Sequence, residues 1–235
     1  MVVQRYLDKP YLIEGCKGHC RIYGLITSAE PLRAYVYSEG IVRIAPEPYD
    51  PRPDAPGGIS MHVTNTALHL ADPRLVISQD ASQDDVGAVR SLSAILRRMA
   101  ADGIDPARVQ GEIKALMEWF VRLLAADGLF ARQAALGPAR GFPHKLFGLD
   151  VLLDAEGHPW LIEMQRIPAA KGQPLVDRIN SEMFATTFLM AQAPLIDDDT
   201  PADRVEALRT DDAARRQREF EVETANRGKF VPLDL

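Results

Sequence analysis

The chain has 235 residues, a net charge of −6 and an isoelectric point near 5.4. This length allows one large domain or two small ones, and the acidic balance argues against general binding to nucleic acid. No apolar run approaches the roughly 20 residues of a membrane-spanning helix, the opening residues lack the pattern of a signal peptide, and two cysteines suggest a reducing compartment. We therefore expect a cytoplasmic protein with neither nucleic acid nor a membrane as its partner.

In chain order, apolar periodicity and turn residues predict strands first, then two helices, a hairpin and two more helices. The predicted strands cover 2–7, 11–13 and 16–27, a hairpin over 31–45 that turns at 38–40, and a hairpin over 147–165 that turns at 155–158. The predicted helices cover 84–101, 106–128, 175–192 and 201–226, and the Pro-rich stretch 46–58 is predicted to be a loop. The helix over 175–192 is expected to bury Ile179, Met183 and Leu189.

The end of the chain differs from the rest in its charge. We expect a main domain over 1–195, followed over 196–235 by a charged helix and a short tail. The helix is expected to be solvated on its outer surface, and the tail either pairs with the sheet or frays.

Cys16, His19 and Cys20 could suggest a zinc site near the start of the chain. In a strand, however, four residues span about 13 Å, which is too far for a disulfide between the two cysteines. His19 would also point to the opposite face from both thiols, and no second pair of ligands follows. We therefore regard zinc binding as the weaker interpretation.

Basic residues line one face of the predicted strand over 16–27. Alternation places Lys17, His19 and Arg21 on the same side, together with Tyr23. Such a face either lines a phosphate site or is a solvated edge, and the bare pattern favours the edge. Arg43 lies among apolar residues, where a buried guanidinium needs a phosphate or, as the structural alternative, an acidic partner.

The predicted hairpin over 147–165 is apolar except for three polar residues: Asp150, Glu163 and Gln165. If Glu156 and Gly157 form a two-residue loop, Asp150 lies directly opposite Glu163, with Cβ atoms roughly 5 Å apart. Two carboxylates this close must be neutralised by a shared proton, a basic side chain or a metal. Oxygen ligands and an amide favour Mg²⁺ carried on nucleotide phosphates. The alternative is a surface hairpin with scattered acidic residues.

Several stretches together resemble, in this order, the tubulin–tyrosine ligase family of the ATP-grasp superfamily. They are VVQRYLDKPYLI, KGHCRIYGLITSAEPLRAYVYSEGIVRIAPEPY, HVTN and FGLDVLLDAEGHPWLIEMQRIP. The resemblance covers about residues 2–180, and it is specific as an ordered set. It implies an α/β (α+β) fold equivalent to the C-terminal lobe of an ATP-grasp domain, with a mixed, largely antiparallel sheet flanked by helices.

The resemblance also implies roles for individual residues. A segment that contacts adenine is matched by Gln4, Arg5, Tyr6 and Leu7. Catalytic cations around the phosphates and the reacting carboxylate are matched by Lys17, Arg21 and Arg43. A polar pair beside the ATP ribose and phosphates is matched by Thr64 and Asn65. Ligands of Mg²⁺ are matched by Asp150 and Glu163, and by Gln165 where the family usually has asparagine.

Such proteins join a carboxylate to an amine through an acyl-phosphate, using ATP and Mg²⁺ to add a free amino acid to a protein or peptide acceptor. The chain departs from the family at His19, where an aspartate is expected, and at His144, where a glutamate is usual. It also begins where the adenine-contacting segment should start. We therefore expect an upstream half, either in a longer protein or in a separately encoded partner. The competing hypothesis is a non-catalytic nucleotide- or partner-binding scaffold.

Overall fold

The computed structural model describes residues 4–52, 58–134, 144–166 and 173–235. Its strands are β1 (Leu12–Ile13), β2 (Cys16–Ala29), β3 (Leu32–Pro48), β4 (Val89–Ser91), β5 (Lys145–Leu153), β6 (Pro159–Gln165) and β7 (Phe230–Pro232). Its helices are α1 (Leu92–Ala101), α2 (Pro106–Ala126), α3 (Leu129–Ala134), α4 (Pro174–Gln192), α5 (Ala202–Thr210) and α6 (Asp212–Asn226). None of these helices is both long and apolar enough to cross a membrane.

The described strands form one sheet in the order β4-β3-β2-β5-β6, with β1 added to β2 and β7 added to β3. Every pairing is antiparallel. Helices α1 and α2 pack on one face against the even-numbered residues of β2, and α4 packs on the other face against Tyr23 and Leu25. The expected fold, a largely antiparallel sheet flanked by helices, is confirmed.

The predicted hairpin over 31–45 is wrong, because β3 is one long strand. Both of its halves pair with β2, and residues 38–40 belong to an irregularity between the pairs Gly24–Val36 and Ile22–Gly40. The chain reverses earlier, between Ala29 and Leu32, which are paired across the β2–β3 connection. A Ser-Glu-Gly sequence favours a turn locally, but pairing with a common neighbour keeps the chain extended here.

Strand β3 also shortens the predicted loop over 46–58, because pairing with β2 continues to Pro48. Residues 53–57 of that loop lie outside the described part. At the start of the chain, the described residues 4–7 are not in a strand, contrary to the prediction for 2–7. They have no neighbouring strand with which to pair among the described residues.

The first predicted helix begins later than expected. Residues Val89–Ser91 pair with β3, and the Ser91 hydroxyl then accepts the N–H of Ala94 to cap α1. The prediction for α2 is confirmed, with Asp105 accepting the N–H of Ala107 and Pro106 at the first helical position.

The last predicted helix, over 201–226, is two helices. Asp211 separates them, because its side chain accepts the N–H of Ala213 and so caps α6. On α4, Ile179 and Met183 are buried as expected, but Leu189 is 54% exposed and Met190 is buried instead. The tail pairs with the sheet through β7.

A buried cluster of charge ties α6 to the sheet. Glu223 is only 3% exposed. Its carboxylate accepts hydrogen bonds from the Thr27 and Tyr35 hydroxyls, each at 2.9 Å, and from two nitrogens of the Arg33 guanidinium at 3.2 and 2.9 Å. The charge of this carboxylate is therefore balanced by Arg33, and both of its oxygens accept hydrogen bonds from protein groups.

Both cysteines are free thiols, as the strand geometry predicts. Cys20 is buried in the core on the face opposite to His19. Among the histidine, cysteine, aspartate and glutamate side chains of the described residues, the one group of three close enough to share a metal ion is Asp154, Glu156 and His158. The structure therefore gives no support to a zinc site at Cys16, His19 and Cys20.

Candidate functional site

A cavity of about 460 Å³ lies where β2, β3, β5 and β6 meet the segment 62–65. Its volume is in the range of small-molecule sites. Nine of the residues singled out in the sequence line it: Lys17, His19, Arg21, Arg43, Thr64, Asn65, Asp150, Glu163 and Gln165. The strands therefore bring together residues that are up to about 150 positions apart in the chain.

Three basic side chains line this cavity. Lys17 and Arg21 project from alternate positions of β2, and Arg43 lies on β3 next to His19, its partner in the ladder. Lys17 is 5% exposed, and each arginine is 8% exposed. The interpretation of this face as a solvated edge is therefore wrong, because β2 lies inside the sheet and β3 and β5 flank it.

The three cations differ in how they are compensated. Arg21 holds Asp150 with two hydrogen bonds, one from Nη2 to Oδ2 at 2.9 Å and one from Nε to Oδ1. Lys17 and Arg43 form no ion pair with any carboxylate of the described residues. Burial lowers the pKa of both, and the neighbouring Arg21 guanidinium lowers that of Arg43 further. The structural ion pair considered for Arg43 is thus absent from the described part of the chain.

Gly148 on β5 makes room for the Arg21 side chain. A Cβ atom at this position would lie 2.7 Å from Cδ of Arg21, which is closer than van der Waals contact allows. The glycine therefore permits the guanidinium to reach Asp150. Sequence reasoning missed this residue, because nothing local marks which neighbouring strand will approach a glycine so closely.

Asp150 is at the centre of a row of three charged residues. It pairs with Arg21 on one neighbouring strand, β2, and with Glu163 on the other, β6. The predicted juxtaposition of Asp150 and Glu163 is confirmed. Asp150 is only 7% exposed, whereas Glu163 and most of β6 are exposed, so the surface-hairpin alternative fits β6 but not β5. Burial alone would raise the pKa of Asp150, but the hydrogen bonds and charge of Arg21 outweigh it and leave the pKa lowered.

The hairpin reaches this register by a different route from the predicted one. Its loop has three residues, 155–157, closed by a bond from Asp154 N–H to the His158 carbonyl, and Gly157 adopts a φ of +87°. The extra loop residue shifts the register by one. A bulge at Ile162 then restores it, because Val151 pairs with Leu161 whereas Asp150 pairs with Glu163.

Glu163 and Gln165 add oxygen donors to the lining of the cavity, beside Asp150. Gln165 Nε2 donates to Glu163 Oε1 at 2.5 Å, which leaves the amide oxygen of Gln165 available. Two carboxylates and an amide oxygen are the ligand type that Mg²⁺ prefers. The basic side chains that line the same cavity are suited to binding phosphate. The donor set therefore fits the ion, although Asp150 would share its charge between the ion and Arg21.

The segment 62–65 both forms a turn and lines the cavity. Asn65 Oδ1 accepts the N–H of Ala67 at 3.1 Å and caps a short 3₁₀ helix, Thr66–His69. Thr64 Oγ1 lies 2.5 Å from Nδ1 of His19. Burial lowers the pKa of His19 to about 4; Asp150 opposes this shift, and Arg43, Arg21 and Lys17 add to it. His19 is therefore a neutral imidazole at pH 7.

The four residues predicted to contact adenine differ in their position relative to the cavity. Gln4, Arg5 and Leu7 do not line the cavity, so their role stays a prediction. The Tyr6 hydroxyl instead accepts a hydrogen bond from Lys17 Nζ at 3.0 Å and lies 2.8 Å from His62 Nδ1. His62 was not singled out in the sequence, although it is the first residue of the HVTN stretch.

The described part of the chain therefore presents a cavity lined by basic residues of β2 and β3 and by oxygen donors of β5 and β6. The family model "Tubulin-tyrosine ligase family" matches residues 1–201. A probable beta-tubulin polyglutamylase of Tetrahymena thermophila is 33% identical over 173 residues, which is 72% of this chain and 14% of that protein.

Two further relatives are similar. Tubulin polyglutamylase ttll-5 of Caenorhabditis elegans is 33% identical over 200 residues, or 84% of this chain and 27% of that protein. Tubulin polyglutamylase TTLL5 of Homo sapiens is 31% identical over 190 residues, or 80% of this chain and 15% of that protein. The chain thus spans 14–27% of the length of these relatives. It belongs to the tubulin–tyrosine ligase family.

Proposed function

We propose that this chain carries the metal- and phosphate-binding part of an ATP-dependent carboxylate–amine ligase. The observation that carries the proposal is the charge arrangement of the cavity. Lys17 and Arg43 are buried without a carboxylate partner among the described residues, and Asp150, Glu163 and Gln165 line the same cavity. Burying unpaired cations costs free energy, so a site that keeps them is suited to an anionic ligand.

In the proposed reaction, a substrate carboxylate attacks the γ-phosphorus of ATP, and ADP leaves. Negative charge spreads over the transferring oxygens during this step. Lys17 and Arg43 are already desolvated and fixed beside the cavity, so they can stabilise that charge without reorganisation. Arg21 has a different role, because it holds Asp150 in place and keeps it ionised.

Asp150, Glu163 and Gln165 would hold Mg²⁺ on strands β5 and β6, beside the basic residues of β2 and β3. When bound, the ion would neutralise phosphate charge and help to orient the triphosphate. The chain's own contribution is to place these oxygen donors in one register, through the bulge at Ile162.

An amine then attacks the acyl-phosphate carbonyl. The new C–N bond replaces the C–O bond to phosphate, inorganic phosphate leaves, and the amine loses a proton. The same cations that held the γ-phosphoryl group can hold the departing phosphate. Positioning therefore accounts for most of what these residues contribute.

We infer glutamate as the amino acid donor and tubulin, or another protein with exposed glutamates, as the acceptor. The support is that the relatives are named polyglutamylases of tubulin. An excess of cations in the cavity also suits substrates that carry several carboxylates. An upstream half of the ATP site, in the same protein or in a separate partner, remains part of the proposal.

Glu163→Gln tests the assignment in the complete protein, assayed for ATP-dependent incorporation of labelled glutamate into tubulin. We expect the variant to lose this activity, because the substitution removes a metal-binding charge while preserving size. Glu156→Gln is the matched control, since Glu156 is on the loop of the same hairpin and does not line the cavity. Retained activity in Glu163→Gln would contradict the metal assignment.

A second candidate function is a non-catalytic scaffold, and the observation that favours it is His19. This side chain is neutral where the family resemblance leads us to expect an aspartate. The scaffold hypothesis predicts weak or absent binding of Mg²⁺-ATP, whereas the ligase hypothesis predicts clear binding. Titration calorimetry with Mg²⁺-ATP, with the upstream half supplied, distinguishes the two.

A further inference from the structure

Lys17 is held in the cavity by neutral groups. Its Nζ donates a hydrogen bond to the Tyr6 hydroxyl at 3.0 Å and lies 4.5 Å from the centre of the Tyr6 ring. The Tyr6 hydroxyl in turn lies 2.8 Å from Nδ1 of His62. Since no described carboxylate pairs with Lys17, these contacts orient the ammonium group and leave its charge uncompensated.

Hydrogen-bond direction along this chain follows from the groups involved. An ammonium group can only donate, so the Tyr6 oxygen accepts from Lys17. Partial burial raises the pKa of Tyr6, so its hydroxyl keeps its proton at neutral pH. That proton has an acceptor in Nδ1 of His62 when His62 is neutral and carries its own proton on Nε2.

The His62 ring is itself fixed between two tyrosines. Tyr6 and Tyr49 each meet it edge to face, with ring centroids 5.7 Å apart and interplanar angles of 85° and 88°. The Tyr49 hydroxyl is anchored by donation to the Asp8 carbonyl at 3.0 Å. His62 is therefore a rigid acceptor at the mouth of the cavity that it lines.

We propose that His62 is a positioning residue, which acts through the Tyr6 hydroxyl to hold the Lys17 ammonium at the cavity wall before an anion binds. A lysine side chain is long and flexible, and ordering it in advance lowers the entropic cost of binding. The identity of the anion as a phosphate group of ATP rests on the proposed function. The positioning of Lys17 by His62 does not depend on it.

NMR of the Lys17 ε-methylene group tests the positioning directly and needs no ligand. A fixed ammonium group gives two distinct ε-proton signals, and a freely rotating one gives a single averaged signal. We expect two signals in the wild type and one in His62→Phe, which keeps a ring but lacks the acceptor. His62→Asn, whose side-chain oxygen can replace Nδ1, should restore two signals. Two signals in His62→Phe would overturn the proposal.

Tyr6→Phe gives a second test, because it removes the hydroxyl and keeps the ring, and it is decisive if His62→Phe does not fold. We again expect the two ε-proton signals to merge. Thermal melts of each variant confirm that the fold is intact. Unchanged signals in a folded Tyr6→Phe variant would equally overturn the proposal.

Titration with inorganic pyrophosphate separates this inference from the proposed function. We expect His62→Phe to bind about five-fold more weakly than the wild type, as for the loss of one hydrogen bond, and His62→Asn to recover most of the affinity. If Lys17→Ala weakens binding and His62→Phe does not, the positioning proposal is overturned and the proposed function stands. If the wild type and Lys17→Ala bind equally, the proposed phosphate site is wrong, and the NMR result alone decides the role of His62.

Discussion

The two ends of the β2–β3 pair carry two buried clusters of charge that are built on opposite principles. At one end, Glu223 accepts hydrogen bonds from Thr27, Arg33 and Tyr35, so a single buried carboxylate is fully compensated. This cluster ties α6 to the sheet and has no remaining charge to offer a ligand. It is what a structural buried ion pair looks like.

At the other end, the charges do not balance. Arg21 is paired with Asp150, but Lys17 and Arg43 have no carboxylate partner in the described residues, and the neighbouring His19 is neutral. Both clusters contain buried charged side chains, so burial alone does not distinguish them. The difference between them teaches that incomplete compensation, and not the presence of buried charge, marks the candidate site.

The largest expected effect is on the compensated cluster. Glu223→Ala leaves Arg33 buried without its partner, so we expect the free energy of unfolding to fall by about 3–5 kcal/mol. Denaturant titration measures this change. Glu219→Ala is the matched control, because Glu219 contacts the same arginine at 3.6 Å from a more exposed position and should change stability by less than about 0.5 kcal/mol. Equal effects of the two substitutions would contradict the distinction.

Asp150→Asn should have the next largest effect. It removes the one buried anion that compensates the cavity cations, and we expect a loss of about 2–3 kcal/mol in the free energy of unfolding. Asp127→Asn provides the control, because Asp127 pairs with Arg132 at 2.6 Å on the surface. An Asp150→Asn variant as stable as the control would show that the cavity cations do not need this carboxylate.

His19 makes a pH-dependent contribution between these extremes. Because burial lowers its pKa in the folded state from 6.5 to about 4, the unfolded chain binds the proton first as the pH falls. Stability is therefore retained above about pH 6.5 and lost between 6.5 and 4, by about 3 kcal/mol.

Denaturant midpoints measured across this pH window check the prediction for His19. The loss of stability between pH 6.5 and 4 that is due to His19 should be absent from His19→Asn. It should remain in His158→Asn, because His158 is exposed. A wild-type slope identical to that of His19→Asn would show that the imidazole protonates in the folded protein as readily as in the unfolded chain.

Arg43→Met should give the smallest change, and its sign is opposite. Removing an unpaired buried charge relieves a desolvation cost, so we expect stability to rise by about 1 kcal/mol while pyrophosphate binding weakens. Arg90 is the control, since it is also 8% exposed but pairs with Glu14 through two hydrogen bonds at 2.9 and 2.7 Å. Arg90→Met should lower stability by about 1 kcal/mol. A loss of stability in both variants would argue that Arg43 has a structural partner.

Local patterns were sufficient wherever local interactions decide the structure. The cap at Asp105 followed from capping rules, and the shared face of Lys17, His19 and Arg21 followed from period-two alternation. The family resemblance added Arg43, Thr64 and Asn65, which no local pattern could have placed at the same cavity.

The failures have one physical cause, which is pairing between distant segments. Residues 38–40 have the composition of a turn, and residues 89–91 fit a helical pattern, yet both are extended because β3 pairs with a neighbour at each place. His62 and Gly148 were missed for the same reason. Their importance depends on Tyr6 and Arg21, which come close only after folding.

The bulge at Ile162 has a consequence for recognising such sites in other sequences. Asp150 and Glu163 stand 13 positions apart, and that interval contains a three-residue loop and one inserted residue besides the paired residues of the two arms. A relative with a shorter loop, or without the bulge, or with a residue inserted elsewhere in the hairpin, could still place its two acidic residues side by side at a different spacing. A search that demands a constant spacing would discard such relatives, so the pattern to seek is an acidic residue on each arm of a hairpin with a variable interval.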